Sequence, residues 1–483
     1  MKHSNRTIAA GVVTSFLLAA CGGGGGGDSS DDSGSNPTGS ALNAGAGAPT
    51  GAEGNCSAPT NGVNWDALMT EVCPKLSDYN LFTDASDPTA GPTRGGVPYD
   101  LSTALFSDYT SKYRFVFVPE GKTVGYNPSE ALDFPVGTVI TKTFALPENT
   151  AMPDGAELVI ETRLLIHRVD GWMALPYYWS SESEATLAIA GKRLTDLTTI
   201  NNQGQTLTFD YAVPKAADCN SCHSIVPDLA GPDDQREQIF LPIGPKARYL
   251  NKDFSYPDGT VYNQLQYWSE GELLTGLPAD FNSVEQAPVF NDETHIPSLS
   301  DAELNDKARA YLDINCAHCH RADLTLPADY AGPAGSSGVQ LEYNRVYADS
   351  PGKFGVCKDP VAGGKEGYPY DVIPGNADES YLLFRIETTD SRHKMPELGS
   401  ATVDDNGQYL VSLDEPLTNG ESVEVTSTDG AGNVSAPTTA TAPHIPTIDT
   451  ATDDTGSETG DLPAGSSTDE TTPILNGTAE AGS

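Results

Sequence analysis

Basic side chains are scarce in this chain. Its 27 Lys and Arg stand against 67 Asp and Glu, a formal charge of −40 over 483 residues. No Lys or Arg follows Lys394. So few cations exclude nucleic-acid binding, which calls for basic surfaces. An acidic surface favours solubility and steers basic partners, but says nothing of fold. Long apolar runs are missing too: beyond the leader, nothing approaches the roughly 20 apolar residues of a membrane-crossing helix. Methionine is rare, and of the 5 present only Met395 lies beyond residue 173.

What is present begins with an export signal. Lys2 and Arg6 make a basic start, Ile8 to Leu17 an apolar run, and Leu18-Ala19-Ala20-Cys21 a small-residue cleavage site. The last four residues resemble the bacterial lipobox, which implies cleavage before Cys21 and lipid on that cysteine; an ordinary signal peptide is the plainer alternative. Gly22 stands where an Asp would signal inner-membrane retention, so the pattern implies an outer-membrane lipoprotein, periplasmic or surface-exposed.

Two pentapeptides carry chemistry: Cys219-Asn220-Ser221-Cys222-His223 and Cys316-Ala317-His318-Cys319-His320. Cys-x-x-Cys-His is the attachment signature of c-type haem. Its two thiols add across the haem vinyl groups, and the His becomes the proximal iron ligand. Cys219, Cys222, Cys316 and Cys319 are thus expected to bind two haems c, with His223 and His320 on the irons. Export agrees, because haem c is attached outside the cytoplasm. The competing reading is a zinc ribbon of the four cysteines, but zinc gives no reason for a His after each pair.

For the second haem the expected sixth ligand is Met395, with His393 as rival and an idle methionine as the bland alternative. For the first haem the candidates are His167, Met173, Met152 and His295, or an open iron. His318 sits inside its own attachment loop, badly placed to reach the far face of that ring. Of the remaining thiols, Cys56 and Cys73 are expected to pair, since export favours disulfides; Cys357 is left over.

The fold class expected is multidomain. Residues 1–21 form the lipoprotein signal and 22–60 a Gly/Ser/Asp tether that composition marks as disordered, reaching about 30 Å as a flexible coil. A mainly-β domain covers 61–198, with strands at Arg114–Val118, Thr138–Phe144 and Leu158–His167, suggesting a sandwich or small barrel. Two mainly-α, loop-rich haem c segments follow at 199–298 and 299–399. The second opens on a capping box, Ser300 with Glu303, and a helix with Leu304, Ala308 and Leu312 on one face running into Cys316. Residues 400–445 read as a partial β-sandwich tail, a fragment of an Ig-like repeat, and 446–483 as an acidic linker and the start of a further repeat.

Several stretches resemble a family of dihaem c-type cytochrome lipoproteins of Gram-negative bacteria. They include Pro98-Tyr99, Leu105-Phe106-Ser107-Asp108-Tyr109, Glu161-Thr162-Arg163-Leu164-Leu165, Gly244-Pro245-Lys246-Ala247-Arg248, and Ala310-Tyr311-Leu312-Asp313-Ile314-Asn315 leading into Cys316. The likeness runs from about Leu76 to Gly399 and implies electron transfer. Such proteins normally continue past the Met-Pro into a closing helix. Here Val403–Pro437 instead resembles the Ig-like repeats of bacterial adhesins, with Asp429-Gly430-Ala431-Gly432-Asn433 the fullest match. The change of composition after Met395, and the near-repetition of Glu397-Leu398-Gly399-Ser400 by Glu480-Ala481-Gly482-Ser483, suggest two unrelated coding sequences joined at this seam.

The expected function is therefore a dihaem cytochrome passing electrons in the cell envelope, met by redox partners with basic docking surfaces. A dihaem enzyme of peroxidase type, with one open iron, is the alternative.

Overall fold

The structure is a computed structural model. It describes residues 61–404 apart from 153–154, 182, 203, 228–238, 291–298, 322–329, 348–349 and 362–366, with a few positions between 42 and 57 and strands at 6–9, 422–426, 438–441, 447–453, 460–462 and 474–478. Cys21, His295 and most of the tether and tail lie outside the described residues.

One antiparallel sheet organises the molecule. Its strands are β1 (Gly96–Pro98), β2 (Ser111–Phe117), β3 (Val139–Pro147), β4 (Glu157–Arg168), β5 (Gly171–Ser181) and β6 (Glu184–Leu187), and each pairs with its neighbours in sequence. The turn from β4 to β5 is Val169-Asp170, and Gly171 takes a φ of +116° that an L side chain rarely adopts. The sequence suggested a sandwich or barrel. The sheet instead stays single because both faces are covered by other parts of the chain.

On one face Phe115, Phe117, Val139, Leu164, Ile166, Leu175 and Tyr177 pack on Trp65 and Leu68 of α1 (Trp65–Thr70), with Leu76, Tyr79 and Leu81. Arg168 Nε donates to the Leu68 carbonyl at 2.8 Å and ties that layer down. A disulfide joins Cys56 to Cys73 beside it. On the other face Val116 and Ile140, with Leu165 and Trp172 at the margin, pack on Tyr249, Leu250, Leu265, Trp268, Ala310 and Ile314. This double burial explains why β3 is buried at every position but Lys142.

The second layer carries both motifs. A hairpin of β7 (Lys192–Ile200) and β8 (Thr206–Val213) leads to α2 (Asn220–His223), then come α3 (Ala247–Leu250), α4 (Gln264–Glu270), α5 (Asp301–Asn315) and α6 (Tyr381–Glu387). Two expectations are corrected here. The haem segments are not mainly α: among the described residues there are six α-helices, and only α5 exceeds seven residues. Pro214, Pro227, Pro242, Pro245, Pro257, Pro278 and Pro288 explain much of this in the first segment, since each lacks the N–H that a helix interior needs. Nor does a domain boundary fall at 198–199, because β7 runs across it and pairs with β8. Residues from Val97 to Ile314 share one hydrophobic cluster, so the β domain and the motif-bearing segments fold as one unit.

The tail is β. Ser422–Thr426 pairs with Thr438–Thr441, and Thr447–Asp453 lies between Gly460–Leu462 and Ile474–Thr478. The described residues are thus mostly β, with a β-rich N-terminal region and β strands in the tail.

Candidate functional site

Each motif is held by its own local device. The first follows the single turn Ala216–Cys219 and occupies α2. His223 Nδ1 donates to the Leu241 carbonyl at 2.8 Å, and its ring stacks on Phe240 with centroids 4.8 Å apart. That bond fixes the tautomer and leaves Nε2 as a free lone pair, as a metal-ligating His requires. The second motif begins at Cys316, the C-cap of α5, where the Cys319 and His320 amides turn back to the Cys316 carbonyl at 3.0 and 2.8 Å. His320 Nδ1 lies 3.1 Å from Ser337 Oγ, and a bond to the Val339 backbone also acts on the ring.

Burial keeps both imidazoles neutral. It pulls His223 down to about 3 against the opposing Leu241 bond, with His318, Lys142 and Arg163 adding to it. His320 is held at about 4, mainly by burial and then by Arg385. Neutral imidazole is the form that binds iron or zinc.

The two motifs, far apart in sequence, meet. Cys222, His318 and Cys319 each offer a ligand atom, and these atoms lie within 4.8 Å of one another. Cys319 Sγ also lies 3.4 Å from the Ser221 carbonyl of the first motif. The Cys319 thiol and then His318 hydrogen-bond to Cys222 and bring its thiol down to about 5 despite burial, while Cys319 is driven up. Burial raises Cys219 and takes Cys316 to about 12. As free groups, Cys222, Cys319 and His318 make three ligands, one short of the four of a structural zinc site. Cys219 and Cys316 are outside that cluster, so the four-cysteine ribbon does not form among the described residues.

Two cavities open from this meeting point. One of about 490 Å³ is lined by Cys316, Cys319, His320, Met395 and Leu382. The Met395 amide is pinned to the Arg385 carbonyl of α6 at 2.7 Å. His393 is buried near the Tyr381 hydroxyl and is absent from the cavity wall. The donor set on this side, two thiols, a neutral His, and a thioether on the same cavity, fits a c-type haem.

The other cavity, about 140 Å³, lies between the first motif and the sheet, lined by Cys219, Cys222, His223, Lys142, Arg163 and Phe144. Of the candidate sixth ligands here, neither His167 nor Met173 lines it. His167 stacks on Trp172 at 4.5 Å with Nδ1 on the Phe134 carbonyl, and Met173 packs against the opposite face of the sheet. Met152 is exposed. His318, set aside on sequence as trapped in its own loop, lines both cavities. A histidine between the cysteines of one motif carries no signal that it will face the other. A wider groove of about 760 Å³ beside β7 and β8 contains no motif residue. Cys357, the leftover thiol, is free and exposed.

The helix that leads into the second motif is braced by a buried carboxylate. Asp313 accepts from Lys246 Nζ at 3.1 Å, Arg248 Nη1 at 3.3 Å and the Tyr249 hydroxyl at 2.7 Å. Asn315 accepts from the Phe106 amide at 2.8 Å, and Arg321 grips Glu130 through two bonds of 2.9 and 2.7 Å.

A profile for the bacterial Ig domain matches residues 386–444, beginning inside α6 and short of both Cys-x-x-Cys-His motifs. The tail was expected to start at 400, so the match reaches further back, over Met395. In the structure the chain up to Asp404 still docks on the β layer: the Asp108 amide donates to the Gly399 carbonyl at 3.2 Å, and the Tyr109 hydroxyl to the Val403 carbonyl at 2.8 Å. No curated protein and no solved structure matches the chain.

Proposed function

We propose that this chain is a dihaem c-type cytochrome that carries electrons in the bacterial cell envelope, held at the outer membrane through lipid on Cys21. The observation that supports it best is the meeting of the two motifs at Cys222, His318 and Cys319, each motif with a half-buried, neutral histidine held through Nδ1. Attachment at each cysteine breaks an S–H bond and forms S–C and C–H bonds across a vinyl group, without net oxidation. Bound haem supplies a one-electron iron couple. The protein's part is to hold His223 in one tautomer, to orient His320 through Ser337, to offer Met395 on the wall of the larger cavity, and to tether both groups from neighbouring sulfurs, an arrangement suited to exchanging electrons. The acidic surface suits a donor or acceptor with a basic docking face, and weak, small interfaces are usual for such partners.

A spectroelectrochemical titration of the purified protein tests this. Two one-electron waves are expected, one with a methionine–iron charge-transfer band that Met395→Ala abolishes. A band unchanged in that variant removes Met395 from the iron, and no redox wave at all removes the reading.

One observation favours a second reading, the peroxidase-type enzyme: no methionine lines the first cavity among the described residues. A high-spin signal with peroxide turnover would favour it, and two low-spin haems without turnover would exclude it.

A further inference from the structure

Three cations stand side by side on the sheet face that looks at the first motif. Arg114 on β2 is the direct cross-strand partner of Lys142 on β3, and Lys142 is the partner of Arg163 on β4. All three line the cavity that contains Cys219, Cys222 and His223. Like charges directly opposite across strands are destabilising, and burial sharpens the cost. In a chain with 27 basic and 67 acidic residues, such a row asks for a reason.

The outer two members have carboxylates. Arg114 pairs with Asp100 at 2.9 Å, which also takes Lys252 at 3.0 Å. Arg163 holds the fully buried Glu161, through Nε at 2.9 Å and a second nitrogen at 2.5 Å, and Tyr211 donates to the same carboxylate at 2.7 Å. Lys142, in the middle, makes no ion pair among the described residues, although the Glu161 carboxylate that Arg163 holds also acts on it. Its ammonium lies 5.0 Å over the Phe144 ring, the ring that the Arg163 guanidinium also covers at 4.2 Å. Burial and then the neighbouring cations push its pKa well down, against the pull of Glu161.

We propose that the row Arg114–Lys142–Arg163, with Lys142 as its unpaired centre, seats the carboxylates of the haem attached at Cys219 and Cys222. This rests on the haem reading above. The chemistry recognised is a dianionic edge on a flat apolar ring. The wall supplies both halves: three cations for the carboxylates, and Phe144, Ile140, Leu165 and Pro176 for the ring. Cross-strand neighbours lie about 5 Å apart, so the row spans about 10 Å, a length on the scale of a porphyrin. The sheet thereby acquires a function that its sequence does not advertise: it is the far wall of the first haem site.

The test uses the full-length holoprotein matured with haem, and a haem count on each variant comes first. If wild type carries no haem, the cytochrome reading fails and the potentials say nothing further. If wild type and Lys142→Met both carry two, the midpoint potentials decide. Removing the cation leaves carboxylate charge uncompensated, which favours ferric iron. One potential is therefore expected to fall while the other stays, with unchanged low-spin spectra, and Lys142→Arg should restore the lost potential. Two unmoved potentials would overturn the proposal. So would a change of axial-ligand spectrum in Lys142→Met, because it would make Lys142 an iron ligand. A Lys142→Met protein that loses only the first haem supports the seat, provided Lys142→Arg regains it.

Discussion

Asp313 shows how single residues hold the site. Burial alone would raise its carboxyl, but Lys246 and then Arg248 outweigh that and hold it at about 2. An unfolded Asp titrates near 3.9, so this carboxylate contributes its full stability above about pH 4 and loses it as pH falls toward 2. Acid unfolding should steepen in that window. Asp313→Asn leaves Lys246 and Arg248 facing a neutral amide; breaking a buried pair in this way costs roughly 3–5 kcal/mol, to be measured by urea unfolding. A cost below about 1 kcal/mol, on the scale of an exposed pair, would show that the three-way clamp is slack. Asp313 lies in a stretch singled out on sequence, but its role did not show there. A lone Asp in a helix reads as a solvated face until Lys246, Arg248 and Tyr249 are folded onto it. Lys142 misleads in the same way, since a lysine within a strand suggests an outward face and only the pairing of β2, β3 and β4 turns it inward.

Among elements, α5 was the most legible. Its N-cap Ser300 receives the Glu303 amide at 3.4 Å while the Ser300 amide donates to the Glu303 carboxylate at 2.9 Å, the reciprocal box expected from Ser-x-x-Glu. The helix then runs to Asn315 and hands the chain to Cys316. Ser300→Ala should cost about 1 kcal/mol and leave the haem spectra untouched, because the cap lies at the far end from the motif. A spectral change would mean that the cap positions Cys316 directly. The long strands were also readable: Val139–Pro147 and Glu157–Arg168 fall close to their expected bounds. The short helices were not. Four to seven residues carry too little periodicity to separate from loop, and α2 exists only because the first motif turns back on itself. The hairpin of β7 and β8, drawn across the expected boundary, was hidden because both strands are rich in polar residues on an exposed face.

For the whole molecule, the consequence is that the sheet and the segments that carry the two motifs share one core. Sequence could mark each Cys-x-x-Cys-His, but not that Cys222 and Cys319 would meet, since contact between distant segments follows from packing rather than from any local pattern. It marked Met395, which lines the cavity with His320, and it had no means of pointing to the sheet face opposite His223. The tail belongs to a different pattern: β strands, no cations, and a bacterial Ig domain match that begins before the docked segment ends at Asp404. Residues 386–404 therefore serve two readings at once, as the lid of the larger cavity and as the entry to the Ig-like stretch.

The most direct measurement is the intact mass of the full chain produced in a host that matures c-type cytochromes. The expected result is two covalent porphyrin additions, each lost when both cysteines of its motif are replaced by serine. A polypeptide with no added porphyrin, in a host shown to load another c-type cytochrome, would contradict the cytochrome reading and leave Cys222, His318 and Cys319 as a cluster of ordinary metal-binding side chains.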